Sequence, residues 1–221
     1  EYFYRRQQDT LDSFVFETNK DKQLSSVEFR TACSWEDTWN YDWDLYSPLF
    51  RLCRLNLSRL LGLNLPMEVS LQVSRNGFQS LPDWLSQSLP DLDLSQLQHR
   101  RRFEDSMKMS VEDSVTRMSL PLDSFRPNPK LDSYYESQTL WDEYMANSAQ
   151  TYLQQNLGSQ LLIMAGVNHV WRDAIPDRLE RMSQKNGKAL KAVSVVPWRG
   201  PSDSLPKCAD YVWCDAGTGG G

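Results

Sequence analysis

The 221 residues carry a formal net charge of -5, with 40% hydrophobic and 24% charged side chains. That is the composition of a globular protein with enough chain to bury a core, and its acidic balance argues against nucleic-acid binding as the main task. No stretch reaches the roughly 18 apolar residues needed to cross a bilayer, and no signal peptide is visible. The sequence starts at Glu1 without an initiator methionine, so compartment is left open, an organelle or a membrane-associated location included.

Taken in order, residues 4–16 read as a helix with Leu11, Phe14 and Val15 on one face. Aromatic residues then concentrate at Trp35, Trp39, Tyr41, Trp43 and Tyr46, a density suited to a core or wall. Pro48 is expected to open a helix running to about Arg59. Leu60 to Leu65 reads as a buried strand stopped by Pro66, with Asn64 near its end.

From 70 to 130 the chain turns polar and proline-punctuated, which predicts two or three short helices inserted into one domain spanning 1–221. The loop Arg126-Pro127-Asn128-Pro129 ends this insertion. Its basic cluster, His99 to Arg102, is followed by Glu104 and Asp105 and reads as a solvated helix face, with His99 exposed.

Asp132 to Asn156 is the longest helical candidate. Tyr134, Trp141, Met145, Ser148 or Ala149, and Tyr152 recur at helical spacing as its inward stripe. Gly158 stops it. Leu161 to Ala165 follows as an apolar run without alternation, the pattern of a strand covered on both faces. Gly166 is expected to turn the chain sharply and leave His169 at the carboxyl end of that strand, where open α/β sheets hold their ligands. A helix opening at Ile175-Pro176 comes next, then strands at Leu190 to Val196 and Ala209 to Cys214 and a glycine tail, Gly217 to Gly221. The pattern predicts an α/β fold, a largely parallel central sheet covered by helices. Cys33, Cys53, Cys208 and Cys214 lack zinc-site or thioredoxin-like spacing; Cys208 and Cys214 either pair or stay free, as Cys33 and Cys53 do.

Several segments together resemble the ChaN-like haem-binding uptake proteins of the Tiki/TraB/erythromycin-esterase-like superfamily. WEDTWNYDWDLYSP (35–48) is similar to the family's tryptophan-rich stretch, and LGLNLP (61–66) to its strand ending in N-x-P. LPDLDL and HRRRFEDSM look like its helical insertion. YESQTLWDEYMANSA (135–149) resembles its E-x-Q-x-x-W-D-x-x-M-A helix, and AGVNHVWRDAIPDRL (165–179) its second Gly-x-x-His block. The matches keep their order over nearly the whole chain. Glu1 matches a glutamate that follows the family's opening strand and first Gly-x-x-His block, so we expect the sequence to be a piece of a longer protein.

The resemblance implies haem bound at the sheet edge, in some members between two subunits, with His169 as an iron ligand and a homodimer possible. It implies pocket roles for Glu1, Asn64, Trp141, Asp142, Met145, Gly166 and Arg172. Structural roles for Glu1, Trp141 and Asp142 remain open beside these. Tyr134, Tyr135 and Tyr144 are alternatives for a second axial ligand, since haem iron accepts imidazole or tyrosinate; Arg172 or Arg178 would pair with propionates. The alternative function is a metal-dependent hydrolase of the same superfamily. Such sites take three protein ligands and an open position, and this sequence holds only His99 and His169 as histidines.

Overall fold

Residues 5–16 obey the predicted helical spacing, as a 3-10 turn (Arg5–Gln7) that leads into α1 (Gln8–Phe16) with Leu11, Phe14 and Val15 buried. The computed structural model describes residues 1–38, 41–118, 131–187, 189–198 and 208–214, with side chains in the long helix described as far as 108. Trp39, the loop 126–129 and the glycine tail lie outside the described residues. The described chain forms two compact units, residues 1–66 and 67–221.

In the first unit, α2 (Ser26–Ala32) begins at Ser25, whose side chain accepts from the Glu28 backbone while the Glu28 carboxylate returns to Ser25 N–H. This reciprocal cap satisfies two otherwise orphaned donors. A single turn, α3 (Trp35–Thr38), and α4 (Trp43–Leu55) follow. Pro48 lies inside α4, not at its start; the true N-cap is Asp42, which accepts from Asp44 N–H. The expected aromatic wall is the core: Phe3, Phe14, Phe29, Trp35, Trp43 and Phe50 pack together. Phe14 stacks on Phe29 at 3.9 Å between ring centroids, and Trp35 meets Trp43 edge-on at 5.1 Å.

The strand expected over Leu60 to Leu65 is reduced to one parallel bridge between Tyr4 and Asn64. Asn64 N–H donates to Phe3 C=O at 3.1 Å and Arg5 N–H donates to Asn64 C=O at 2.9 Å. The Gln8 side chain supports it by accepting from Gly62 N–H at 3.1 Å and donating to Leu60 C=O at 2.8 Å. Gly62 is required here: a Cβ would lie 2.2 Å from the Tyr4 carbonyl oxygen.

The second unit opens with α5 (Met67–Asn76), a short α6 (Asp83–Ser86) and α7 (Leu97–Met118). Its axis is α8 (Leu131–Gln155), followed by the single turn α9 (Val167–Val170) and by α10 (Ile175–Lys185). Both α5 and α10 pack on α8. The Ser70 and Ser137 hydroxyls lie 2.9 Å apart between α5 and α8. Gly77, at φ 83°, ends α5 in the left-handed region that glycine adopts without strain, and Phe78 N–H then donates to the Glu136 carboxylate at 2.6 Å. Gly158, also at φ 83°, follows α8 as expected.

The predicted sheet-centred α/β architecture is not what forms. Among the described residues helices dominate, and the only strands form one two-stranded sheet. The strands β1 (Val195–Trp198) and β2 (Tyr211–Cys214) pair in parallel, Val195 opposite Tyr211. The run Leu161 to Ala165 joins no ladder among the described residues. A strand covered on both faces needs paired neighbours and helices over it. This segment alternates instead, with Leu162 81% and Met164 50% exposed and Leu161, Ile163 and Ala165 half-buried.

Candidate functional site

The site is assembled on α8. Tyr135, Gln138 and Asp142 follow i, i+3, i+7 spacing and therefore share a helix face. The predicted inward stripe was one position off at its start, since Tyr134 is 37% exposed while Tyr135 is 1% exposed. Asp142 is fully buried, and its two oxygens face two imidazoles. Oδ1 lies 2.6 Å from His169 Nδ1, and Oδ2 lies 3.0 Å from His99 Nε2. Oδ2 makes no linear hydrogen bond among the described residues; it sits between His99 and the Arg178 guanidinium, whose Nη1 is 3.8 Å away. Burial would raise the Asp142 carboxyl, but the attraction and hydrogen bond of His169, the close approach of His99 and the Arg178 charge outweigh it and hold the group well below the usual carboxylate range.

Each partner arrives from a different helix. His169 comes from α9, whose turn is closed by His169 N–H donating to Gly166 C=O at 2.9 Å. Gly166 has φ -57° and ψ 149°, extended backbone open to any residue, so the sharp glycine turn expected there is absent. The Gln138 amide nitrogen is 3.1 Å from His169 Nδ1, and the Trp141 ring centroid is 5.5 Å from that of His169. His99 comes from α7 and is 1% exposed, which corrects its reading as a solvated residue. Arg178 comes from α10 and is buried; its Nε is 3.1 Å from Glu143 Oε1, and its Nη1 donates to the Asp173 carbonyl at 2.8 Å. Burial pushes the Glu143 carboxyl up, against the pull of Arg178 and Arg181.

The remaining expected residues are distributed as follows. Trp141 borders His169. Met145 is in the core at 0% exposure. Arg172 is held by Glu180 at 2.7 Å and by the Ala192 carbonyl at 3.0 Å, so its charge ties α10 to the chain entering β1. Glu1 and Asn64 belong to the first unit; Asn64 is fully buried, and its side-chain oxygen accepts from Leu65 N–H at 2.9 Å. Of the tyrosines, Tyr135 is committed to the network, with its hydroxyl 3.1 Å from His99 Nδ1, and Tyr144 is half-buried.

Sequence reasoning missed His99. The signal was present: His99 and Phe103, at i and i+4, both pack against the Tyr135 ring, at 5.4 Å each. The arginines that separate them mask that spacing. Among the described residues no group of three His, Cys, Asp or Glu side chains is arranged to hold a metal ion, and no helix is long and apolar enough to cross a membrane.

A helical unit that braces one imidazole with a buried carboxylate defines the class of site. A family model described as haem-binding uptake, Tiki superfamily, ChaN matches residues 1–179, and the chain belongs to that family. No curated protein and no solved structure matches the chain.

Proposed function

We propose that this protein binds ferric haem as cargo in haem uptake or handling, with His169 as an axial ligand of the iron. The observation that carries this reading is the 2.6 Å contact between Asp142 Oδ1 and His169 Nδ1. Metal-ligating histidines characteristically give their second ring nitrogen to a carboxylate, which fixes the tautomer and raises ligand basicity. With the proton on Nδ1, Nε2 carries the lone pair. A porphyrin brings four nitrogens of its own, so one or two protein donors suffice, which fits a site without a three-donor cluster among the described residues. Trp141, beside His169, offers an aromatic surface to the macrocycle.

A pocket role for Gly166 belongs to this reading on the family resemblance alone. Met145 supports it only through the core, and Arg172 through the frame around α9 and α10. No observation favours the hydrolase alternative. Ferric haem titrated into the protein should shift its Soret band, and His169→Ala should weaken binding and move the band. An unchanged position and affinity in the variant would overturn the assignment.

A further inference from the structure

We propose that His99 is a positioning residue for His169, acting through Asp142. The inference rests on His169 as the iron ligand for its consequence in haem binding, but its structural content concerns the protein without ligand. Asp142 has two oxygens, and only one faces His169. A carboxylate free to rotate about its side chain would not keep that oxygen aimed. His99 Nε2, 3.0 Å from the other oxygen, and Arg178 Nη1, 3.8 Å from it, hold the group from behind.

His99 is itself oriented. The Tyr135 hydroxyl is 3.1 Å and Arg178 Nη2 is 3.5 Å from its Nδ1. The Arg178 guanidinium only donates, the Asp142 carboxylate on the other side of the ring only accepts, and an imidazole nitrogen accepts only with its lone pair. These partners assign the tautomer with hydrogen on Nε2, the atom that faces Asp142. The order is then Tyr135 and Arg178 to His99, His99 to Asp142, and Asp142 to His169. Every member of this series is a side chain, and the Tyr135 hydroxyl also lies 3.4 Å from the Gln96 carbonyl. His99, Asp142 and Arg178 are each at least 99% buried, so water does not substitute for a missing member and the geometry is set by these groups.

The test uses ¹⁵N-histidine labelling of the full chain and two variants. His99→Phe keeps a ring against Tyr135 but has no donor; His99→Gln keeps a donor. In the ligand-free wild type, His169 should show one tautomer, protonated at Nδ1. His99→Phe should show averaged ring-nitrogen shifts for His169, and His99→Gln should restore the wild-type pattern. With ferric haem, His99→Phe should lose about 10- to 100-fold in affinity while keeping a histidine-type spectrum, and His99→Gln should recover most of it. Wild-type His169 shifts in His99→Phe, in a protein folded by circular dichroism, would overturn the proposal. Averaged shifts in both variants would overturn it as well, since rescue by the donor is its distinctive claim. If His169→Ala leaves haem binding unchanged, the axial assignment falls, while the tautomer result decides the positioning role independently.

Discussion

Asp142 Oδ1 and His169 Nδ1 lie 2.6 Å apart although they come from helices 27 positions distant in sequence, and both residues are almost fully buried. A contact of this kind joins stability to ligand presentation. Replacing Asp142 by Asn should cost about 3–5 kcal/mol, the usual consequence of removing one partner from a buried ionic cluster. Denaturant melts followed by circular dichroism measure this. The same variant should bind ferric haem about 10- to 100-fold more weakly. An Asp142→Asn protein with wild-type stability would show that the carboxylate contributes no net fixing energy.

The pH dependence of stability should carry opposite signs from two neighbours. Asp142 is depressed in the folded protein, so its contribution is present above its unfolded value of about 3.9 and is lost as pH falls towards the native value. Glu143 is raised by burial, so its contribution is present below its unfolded value of about 4.3 and is lost as pH rises through the native value. Thermal melts from neutral pH to about pH 3 should therefore show an acid limb that Asp142→Asn flattens and Glu143→Gln steepens. Parallel profiles in all three proteins would contradict these assignments.

Haem association should be slow. The His169 residue is 4% exposed while its neighbour Val167 is 47% exposed, so an axial bond requires the α9 turn to shift. Stopped-flow mixing should give a rate that saturates with haem concentration, or an apparent constant below about 10⁵ M⁻¹s⁻¹, since binding that waits on rearrangement falls under the ordinary range. A linear, near-diffusional dependence would mean that the ring is reached without such a shift.

Thiol reactivity should divide the cysteines. None of the four is in a disulfide; Cys208 and Cys214 are exposed, whereas burial pushes the Cys33 thiol up to about 12. The thiolate is the reactive form. Mass spectrometry after brief alkylation should find Cys208 and Cys214 labelled first, Cys53 later, and Cys33 only after unfolding.

Gly62→Ala should destabilise the first unit by about 1–3 kcal/mol, because the new methyl would meet the Tyr4 carbonyl at 2.2 Å. Amide exchange at Asn64, whose N–H donates to Phe3, should accelerate with it. Unchanged protection there would place the backbone approach elsewhere.

What the sequence made legible follows from which forces are local. α8 and α10 were readable because helical spacing, a first-turn proline and a terminal glycine act within a few residues. The strand reading of Leu161 to Ala165 failed because a strand is defined by its neighbours, and apolar content alone does not supply them. The site was half visible: Asp142 and His169 stood in motif-like segments, while His99 lay among arginines whose charge suggested solvent. Nothing local distinguishes a buried imidazole from an exposed one; the Tyr135 ring that covers it is 36 residues away.

Asp142 and Glu143 are consecutive on α8, so their side chains leave the helix about 100° apart. One engages the two imidazoles and the other Arg178 and Arg181. Such a pair works like the key on a shaft: turning α8 about its axis would break both sets of contacts at once. Any rearrangement at the site would therefore come from the connecting turns, while the shaft itself stays locked.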